Sequence, residues 1–327
     1  MWTHWVASFL LTNFVQGALA LVWCAGLRGA VGARSYAFRA RLLEWVLIFP
    51  VFVFVLQQVA QQIFSAQTAD SFVFARIDLW LASISGEGHG LGFPIKLALG
   101  FLWTLTTLIF VVQEVAPLFA RQTGALQTSV PHPRLEQSKL RICKNLSGVT
   151  LAFAVRVYEE EGLNAFLKGL FRPVLYVSSG LMSKLNDEEL DAVLGHEWAH
   201  LYYGGPLRML VIWFLRALQA ANPAALIAFR SLVETREKAC DELAGWITKN
   251  PEAMLSALRK TQVADLSKAV ASGAPKVGAR EEIIRRGEAL SLQERVAAIQ
   301  LAEFDRPNMG LTWVLLPMLA LLLWGIR

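Results

Sequence analysis

Four long apolar runs divide the chain. Trp5 to Leu27 is 23 residues without a charged side chain, and Leu42 to Phe64 is another 23 with only Glu44 near one end. Leu97 to Gln113 is uncharged between Lys96 and Glu114, and Pro307 to Ile326 adds 20 more uncharged residues. Each is long enough to cross a hydrocarbon core of about 30 Å, which predicts transmembrane helices over about 5–27, 42–64, 95–116 and 307–327. Tryptophans near several ends (Trp2, Trp5, Trp23, Trp45, Trp313, Trp324) suit the membrane–water interface. The first run has no basic leader before it and no convincing cleavage site, so it reads as a retained anchor.

The pattern changes between the third and fourth runs. Ser147 to Tyr158 and Pro173 to Ser178 are rich in valine and aromatic residues and predict strands. Asn186 followed by Glu189 has the form of an N-cap with its reciprocal carboxylate, and Leu190, Val193, Leu194 and Leu201 recur at helical spacing. Val174 to Val177 is expected on a free sheet edge that pairs with an extended chain, with a core-only strand as the alternative. Residues 264–282, rich in Ala, Ser, Gly, Lys and Pro, read as a mobile loop or lid.

Composition sharpens this picture. At 55% hydrophobic and 17% charged residues the chain is too apolar for an ordinary soluble domain. Residues 28–41 carry four arginines and no acid, which puts that loop in the cytoplasm. The connection 65–94 is net acidic, as an outer loop is. Residues 117–306 then fall in the cytoplasm, and both termini outside. The net charge of +5 requires no nucleic-acid partner, since anionic inner-leaflet lipid already selects for it. Three cysteines, one of them inside a span, suggest no disulfide framework.

The chemistry concentrates in His196-Glu-Trp-Ala-His200. Two imidazoles four residues apart on a helix share a face and can bind one Zn²⁺, while Glu197 beside them can take a proton from water. A catalytic zinc site needs a third protein ligand, and Glu237 in Glu237-Lys-Ala-Cys-Asp241 is the best candidate. Asp241, on the same face, would accept a hydrogen bond from the far nitrogen of a ligand histidine. Glu234 stands in reserve, and Cys240 reads as a packed thiol.

One hydrophobic stretch, residues 207–229, contains Arg216 and Asn222-Pro223. If it crossed the membrane once, His200 and Glu237 would lie about 30 Å apart and could not share an ion. It is therefore expected to be re-entrant, interfacial or packed in protein, with a turn near Asn222-Pro223.

These motifs resemble the membrane-embedded gluzincins of the BlaR/MecR antirepressor peptidase family. The matching pieces are Gly169-Leu-Phe-Arg-Pro-Val-Leu-Tyr-Val177, Asp187-Glu-Glu-Leu190, Ala192-Val-Leu-Gly-His-Glu-Trp-Ala-His200, Asn222-Pro223 and Arg236-Glu-Lys-Ala-Cys-Asp241. Asn164-Ala-Phe166 is similar to the HtpX and CAAX prenyl peptidase family. The resemblance implies His196, His200 and Glu237 as ligands of one zinc per chain, Glu197 as base and Asp241 as orienting carboxylate. Arg295, in Leu292-Gln-Glu-Arg-Val296, is similar to an arginine segment near the end of related domains and implies an oxyanion donor; Tyr202, Tyr203 and Arg236 compete for that role. The implied fold is mainly α with a small β-section. Residues 1–116 form a membrane region with three helices, 117–306 a cytoplasmic zincin-type α+β peptidase domain, and 307–327 a fourth helix.

The leading expectation is a zinc endopeptidase of the bacterial cytoplasmic membrane, cleaving a protein or peptide substrate at the cytoplasmic face, with regulatory proteolysis as one use. Loop 65–94 is too short to be a penicillin-binding sensor domain, so β-lactam sensing is not implied. The alternatives are a prenyl-type or quality-control peptidase, and a non-catalytic metal-binding receptor or scaffold. The lipid bilayer is a partner in every version, no nucleic acid is, and a homo-oligomer or partner membrane protein is left open.

Overall fold

The structure, a computed structural model, describes residues 2–31, 35–63, 92–112, 129–146, 153–271, 292–300 and Leu319. It is mainly helical with one small sheet. Two compact units divide the chain: Met1–Arg121, Leu210–Thr235 and Asn308–Arg327 form the first, and Gln122–Met209 with Arg236–Pro307 form the second.

The first unit opens with α1 (Trp2–Val31), α2 (Tyr36–Ile63) and α3 (Gly92–Phe110). Phe9–Leu27 and Tyr36–Ala60 are long and apolar enough to cross a membrane, at 19 and 25 residues. At 1.5 Å per residue these span roughly 28 and 37 Å, against a hydrocarbon core of about 30 Å. The apolar part of α3, Gly100–Ile109, is shorter than a crossing. The predicted fourth span, 307–327, lies outside the described residues apart from Leu319, as do the connection 65–94 as far as residue 91 and the end of the predicted third span, 113–116.

The helices of this unit, beside a buried apolar core, also expose large apolar side chains and bury polar ones. Val22 and Phe101 are each 69% exposed, whereas Thr12, Asn13 and Gln16 are buried. Apolar side chains outside and polar ones inside suit a surface that meets lipid. The stretch 207–229 resolves into a helical hairpin of α7 (Gly205–Leu218) and α8 (Pro223–Thr248), turning at 219–222 as Asn222-Pro223 predicts. The turn is pinned inside its unit by polar side chains. Asn13 Nδ2 donates to Gln219 Oε1 at 3.1 Å, Asn222 Nδ2 donates to Asn13 Oδ1 at 2.8 Å, and Gln219 Nε2 donates to the Leu47 carbonyl at 2.8 Å. Asn222 Oδ1 also caps α8 through Ala224 N. Gly17 makes the approach possible, because a Cβ there would lie 2.7 Å from Asn222 Nδ2.

The second unit contains α4 (Pro133–Asn145), β1 (Ala154–Tyr158), β2 (Ala165–Lys168), β3 (Val174–Ser178), α5 (Ser179–Lys184), α6 (Asp187–Tyr202) and α9 (Pro251–Ala271). Residues 236–248 of α8 and a short helix at 292–300 complete it. The sheet runs β1-β3-β2, with β3 parallel to β1 and antiparallel to β2. This corrects the expectation for Val174–Val177. That strand is central, its backbone is paired on both sides, and its Leu175 and Val177 are fully buried. The strands at the sheet margins are β1 and β2, and the residues of β2, Ala165–Lys168, carry none of the valine enrichment used to find strands. Residues 264–271 also depart from the predicted loop and continue α9, in keeping with their alanine, leucine and lysine content; residues 272–282 lie outside the described part.

The motif helix α6 starts as its sequence predicts. Asn186 Oδ1 accepts from Glu189 N at 2.8 Å, and Glu189 Oε2 accepts from Asn186 N at 2.9 Å. Glu189 also takes Ser256 Oγ at 2.6 Å and Lys260 Nζ at 2.8 Å, so the cap ties α6 to α9. On another face, Arg141 of α4 grips Asp191 with two 2.7 Å hydrogen bonds. Burial alone would raise the Glu189 pKa, but Lys260, Ser256 and the Asn186 amide outweigh it and hold the carboxyl below its usual range. A carboxyl depressed in the folded state stabilises above its unfolded pKa, and that stability is lost as pH falls through the folded value. Glu189→Gln is therefore expected to cost about 1 kcal/mol or more at pH 7. The deficit against wild type should shrink as pH drops below about 4, measured by thermal unfolding in detergent.

Candidate metal centre

The centre lies in the second unit where α6 faces the second half of α8. His196 and His200, one turn apart on α6, place their Nε2 atoms 3.2 Å from each other. Glu237 of α8 closes the triangle, with Oε2 3.5 Å from His196 Nε2 and Oε1 3.6 Å from His200 Nε2. These three groups form the metal-competent cluster found among the described residues. The spacing can be tested against zinc. Bonds of about 2.0–2.1 Å in a tetrahedron put neighbouring ligand atoms about 3.3 Å apart, so the triangle has zinc dimensions and leaves a fourth vertex for water. Glu234, the reserve candidate, is exposed and outside the cluster.

The groups behind the triangle orient it. Asp241 Oδ1 lies 2.8 Å from His196 Nδ1, which turns Nε2 of that ring toward the centre. Asp241, only 1% exposed at its side chain, is clamped in turn by Arg295, whose Nε and Nη2 donate to its two oxygens at 2.7 Å each. Arg295 Nη1 also lies 3.5 Å from Glu237 Oε2. Arg295 thus joins the site from the 292–300 helix, with its guanidinium held against the Glu237 and Asp241 carboxylates of α8. The far nitrogen of His200 meets Cys240 Sγ at 3.4 Å. The thiol is buried as expected, but it also backs a histidine of the cluster. The sequence carried a signal for this contact: 240 is i+3 from Glu237, on the same helix face. Arg236 donates weakly to the His200 carbonyl at 3.4 Å, and Tyr202 is half exposed.

The electrostatics favour positive charge at the centre. Burial opposes a charge on His196, but Asp241 and Glu237 outweigh it and push its pKa up to about 10. His200 is pushed down to about 4 by burial and by His196, which keeps its ring neutral. Burial works against the Glu237 carboxylate, yet His196, His200 and Arg295 hold it ionised far below the usual range. Glu197 is pushed up to about 7, first by burial and then by the Glu237 charge, against the opposing pull of His196 and Arg295. It lines a cleft together with His196, Asn164, Ala165 and Arg295. A carboxylate poised near neutrality beside a triangle of metal-competent side chains suits hydrolytic chemistry.

Residues 93–288, more than half of the chain, match the profile of the family described as BlaR1 peptidase M56. The chain belongs to this family. As an M56 metallopeptidase it also shows distant similarity to curated HtpX proteases. It is 30% identical to a Protease HtpX homolog of Herminiimonas arsenicoxydans over 128 residues, which are 38% of this chain and 43% of the relative. It is 33% identical to Protease HtpX of Stenotrophomonas maltophilia strain K279a over 97 residues, 28% of this chain and 33% of the relative. A Bacteroides fragilis homolog is 28% identical over 148 residues, covering 32% and 46%. The chain spans less than half the length of these curated relatives. The M56 profile takes in α6, with His196, Glu197 and His200, and the part of α8 with Glu237 and Asp241, but stops before Arg295.

Proposed function

We propose that this M56 metallopeptidase is a zinc endopeptidase of a bacterial cytoplasmic membrane that cleaves a protein or peptide substrate. The observation that carries the reading is the triangle of His196, His200 and Glu237 at 3.2–3.6 Å with Glu197 beside it. When bound there, zinc would polarise the scissile carbonyl and acidify water.

The remaining work belongs to the chain itself. Asp241 keeps His196 in the tautomer and orientation a ligand needs, and Arg295 keeps Asp241 in place. Glu197 takes a proton from the attacking water and delivers it to the leaving nitrogen. The clamped guanidinium of Arg295 supplies fixed positive charge toward a developing oxyanion. The margin of β2, with Asn164 and Ala165 lining the same cleft, is where an extended substrate would pair. Asn164, just before β2, is fixed in place: its Nδ2 donates to Glu160 Oε1 at 2.9 Å and its N donates to Ser178 Oγ at 3.0 Å.

The membrane assignment rests on α1, α2 and the exposed apolar surface of the first unit. We assign 1–116 and 307–327 to the membrane region and 117–306 to a cytoplasmic catalytic region, with both termini outside, on the arginine-rich loop 28–41. Regulatory proteolysis is the use we favour; the HtpX relatives favour the second reading, a quality-control peptidase.

The test is metal-dependent cleavage. The purified chain should cut an unfolded protein, lose that activity on treatment with a chelator, and regain it with stoichiometric zinc. Cleavage that survives the chelator would overturn the reading. Asp241→Asn should weaken zinc binding by about 10–100-fold while leaving the three ligands in place, measured by competition with a chromophoric chelator.

A further inference from the structure

The hairpin of β2 and β3 ends in an exposed tip. Lys168 pairs with Val174 across the hairpin, so Gly169-Leu-Phe-Arg-Pro173 makes the connection. The turn is held by its own residues. Gly169 has φ +107°, and a Cβ there would lie 2.7 Å from the Arg172 carbonyl oxygen. Pro173 fixes the return into β3. This loop holds out Phe171 at 83% exposure and Leu170 at 39%. Scattered exposed apolar residues are ordinary, but an adjacent pair on a constrained turn forgoes burial worth about tenfold to a hundredfold per side chain in an equilibrium constant. Charge is sorted along the same sheet. Lys168 and Arg172 are exposed beside the tip, and Arg156 is exposed on the sheet face that carries Lys168. At the other end of the sheet, after β1, Glu159 and Glu161 are exposed.

We propose that the Gly169–Pro173 tip docks on an anionic lipid surface, seating Leu170 and Phe171 at the boundary of headgroups and acyl chains with Lys168 and Arg172 on the phosphates. This rests on the membrane reading above. An apolar tip between cations, with carboxylates kept at the far end, complements such a surface in both shape and charge. A bilayer is also at hand. Two helices of the chain are long and apolar enough to cross one, and the chain passes between the units at 209–210 and 235–236. A tethered tip needs little affinity of its own. Since β2 runs from Ala165, which lines the cleft, to Lys168 at the tip, seating holds the cleft about 10 Å from the lipid. On the peptidase reading, the segment that reaches the cleft is then one next to a membrane anchor.

The experiment uses the full chain reconstituted in phosphatidylcholine vesicles with or without phosphatidylglycerol. Phe171→Cys is labelled with an NBD dye on a Cys143→Ser background, since Cys24 and Cys240 are buried. Glu159→Cys, labelled likewise, is the control at the far end of the sheet. Quenching by nitroxide lipid and by aqueous iodide gives the ratio of seated to withdrawn probe. At position 171 that ratio should exceed the one at 159, rise about fivefold or more with phosphatidylglycerol, and fall by a similar factor when Arg172→Glu is added. High salt should cancel the gain from phosphatidylglycerol. Thermal unfolding certifies the fold of each variant. Equal iodide access at 171 and 159, or seating that ignores both phosphatidylglycerol and Arg172→Glu, overturns the proposal and leaves the membrane reading standing. Protection at 171 that comes only with an added unfolded protein also overturns it and makes the tip a protein-docking surface. A chain that fails to float with the vesicles overturns the membrane reading and the proposal with it.

Discussion

Glu197→Gln is expected to keep about one zinc per chain and to lower kcat by about 10²–10⁴-fold. General acid–base catalysis by a positioned side chain contributes that range, equivalent to about 3–5 kcal/mol of barrier. Glutamine keeps the shape of the carboxylate and its place in the cleft but cannot accept the proton of the attacking water. The ligand triangle does not include position 197, so elemental analysis should find the metal intact. A large fall in kcat with KM little changed marks a group used in the transition state. Undiminished turnover would remove Glu197 from the mechanism.

Glu237→Ala is expected to lose the metal itself. Outer-shell partners of zinc are worth about 10–100-fold in affinity, and a direct ligand should be worth more. Removal would leave two imidazoles where a catalytic zinc site needs three protein ligands. It would also leave Arg295 Nη1 without the carboxylate now 3.5 Å away. Zinc per chain should fall to background in Glu237→Ala and stay near one in Glu234→Ala, since Glu234 is exposed and outside the cluster. Equal occupancy in the two variants would break the assigned ligand set.

Several elements were legible before any coordinates because their causes are local. The capping box of α6 needs only Asn186 and Glu189 three residues apart, and the helix places His196 and His200 on one face by its own period. The turn at Asn222-Pro223 is likewise a property of that dipeptide. The first two candidate membrane helices follow from run length and hydropathy.

What escaped was non-local. Strand order depends on which segments pair, so the valine-rich Val174–Ser178 looked like a margin and is the centre, while the plain β2 occupies one of the two margins. Cys240 looked inert because its partner nitrogen belongs to a histidine 40 residues earlier. Arg295 was recognisable as a candidate, but its pair of hydrogen bonds to Asp241 joins residues 54 apart. The buried cluster of Asn13, Gln219 and Asn222 joins positions more than 200 apart in an apolar setting.

By itself the sequence determined the chemistry of this protein: two imidazoles and a carboxylate at helical spacing, a third ligand on a second helix, and runs long enough for membrane helices. The tertiary structure decided which atoms meet. Local periodicity dictates the face on which a side chain stands. Only the packing of α6 against α8, α9 and the sheet brings the two Nε2 atoms and the Glu237 carboxylate within 3.6 Å and leaves a cleft beside Glu197.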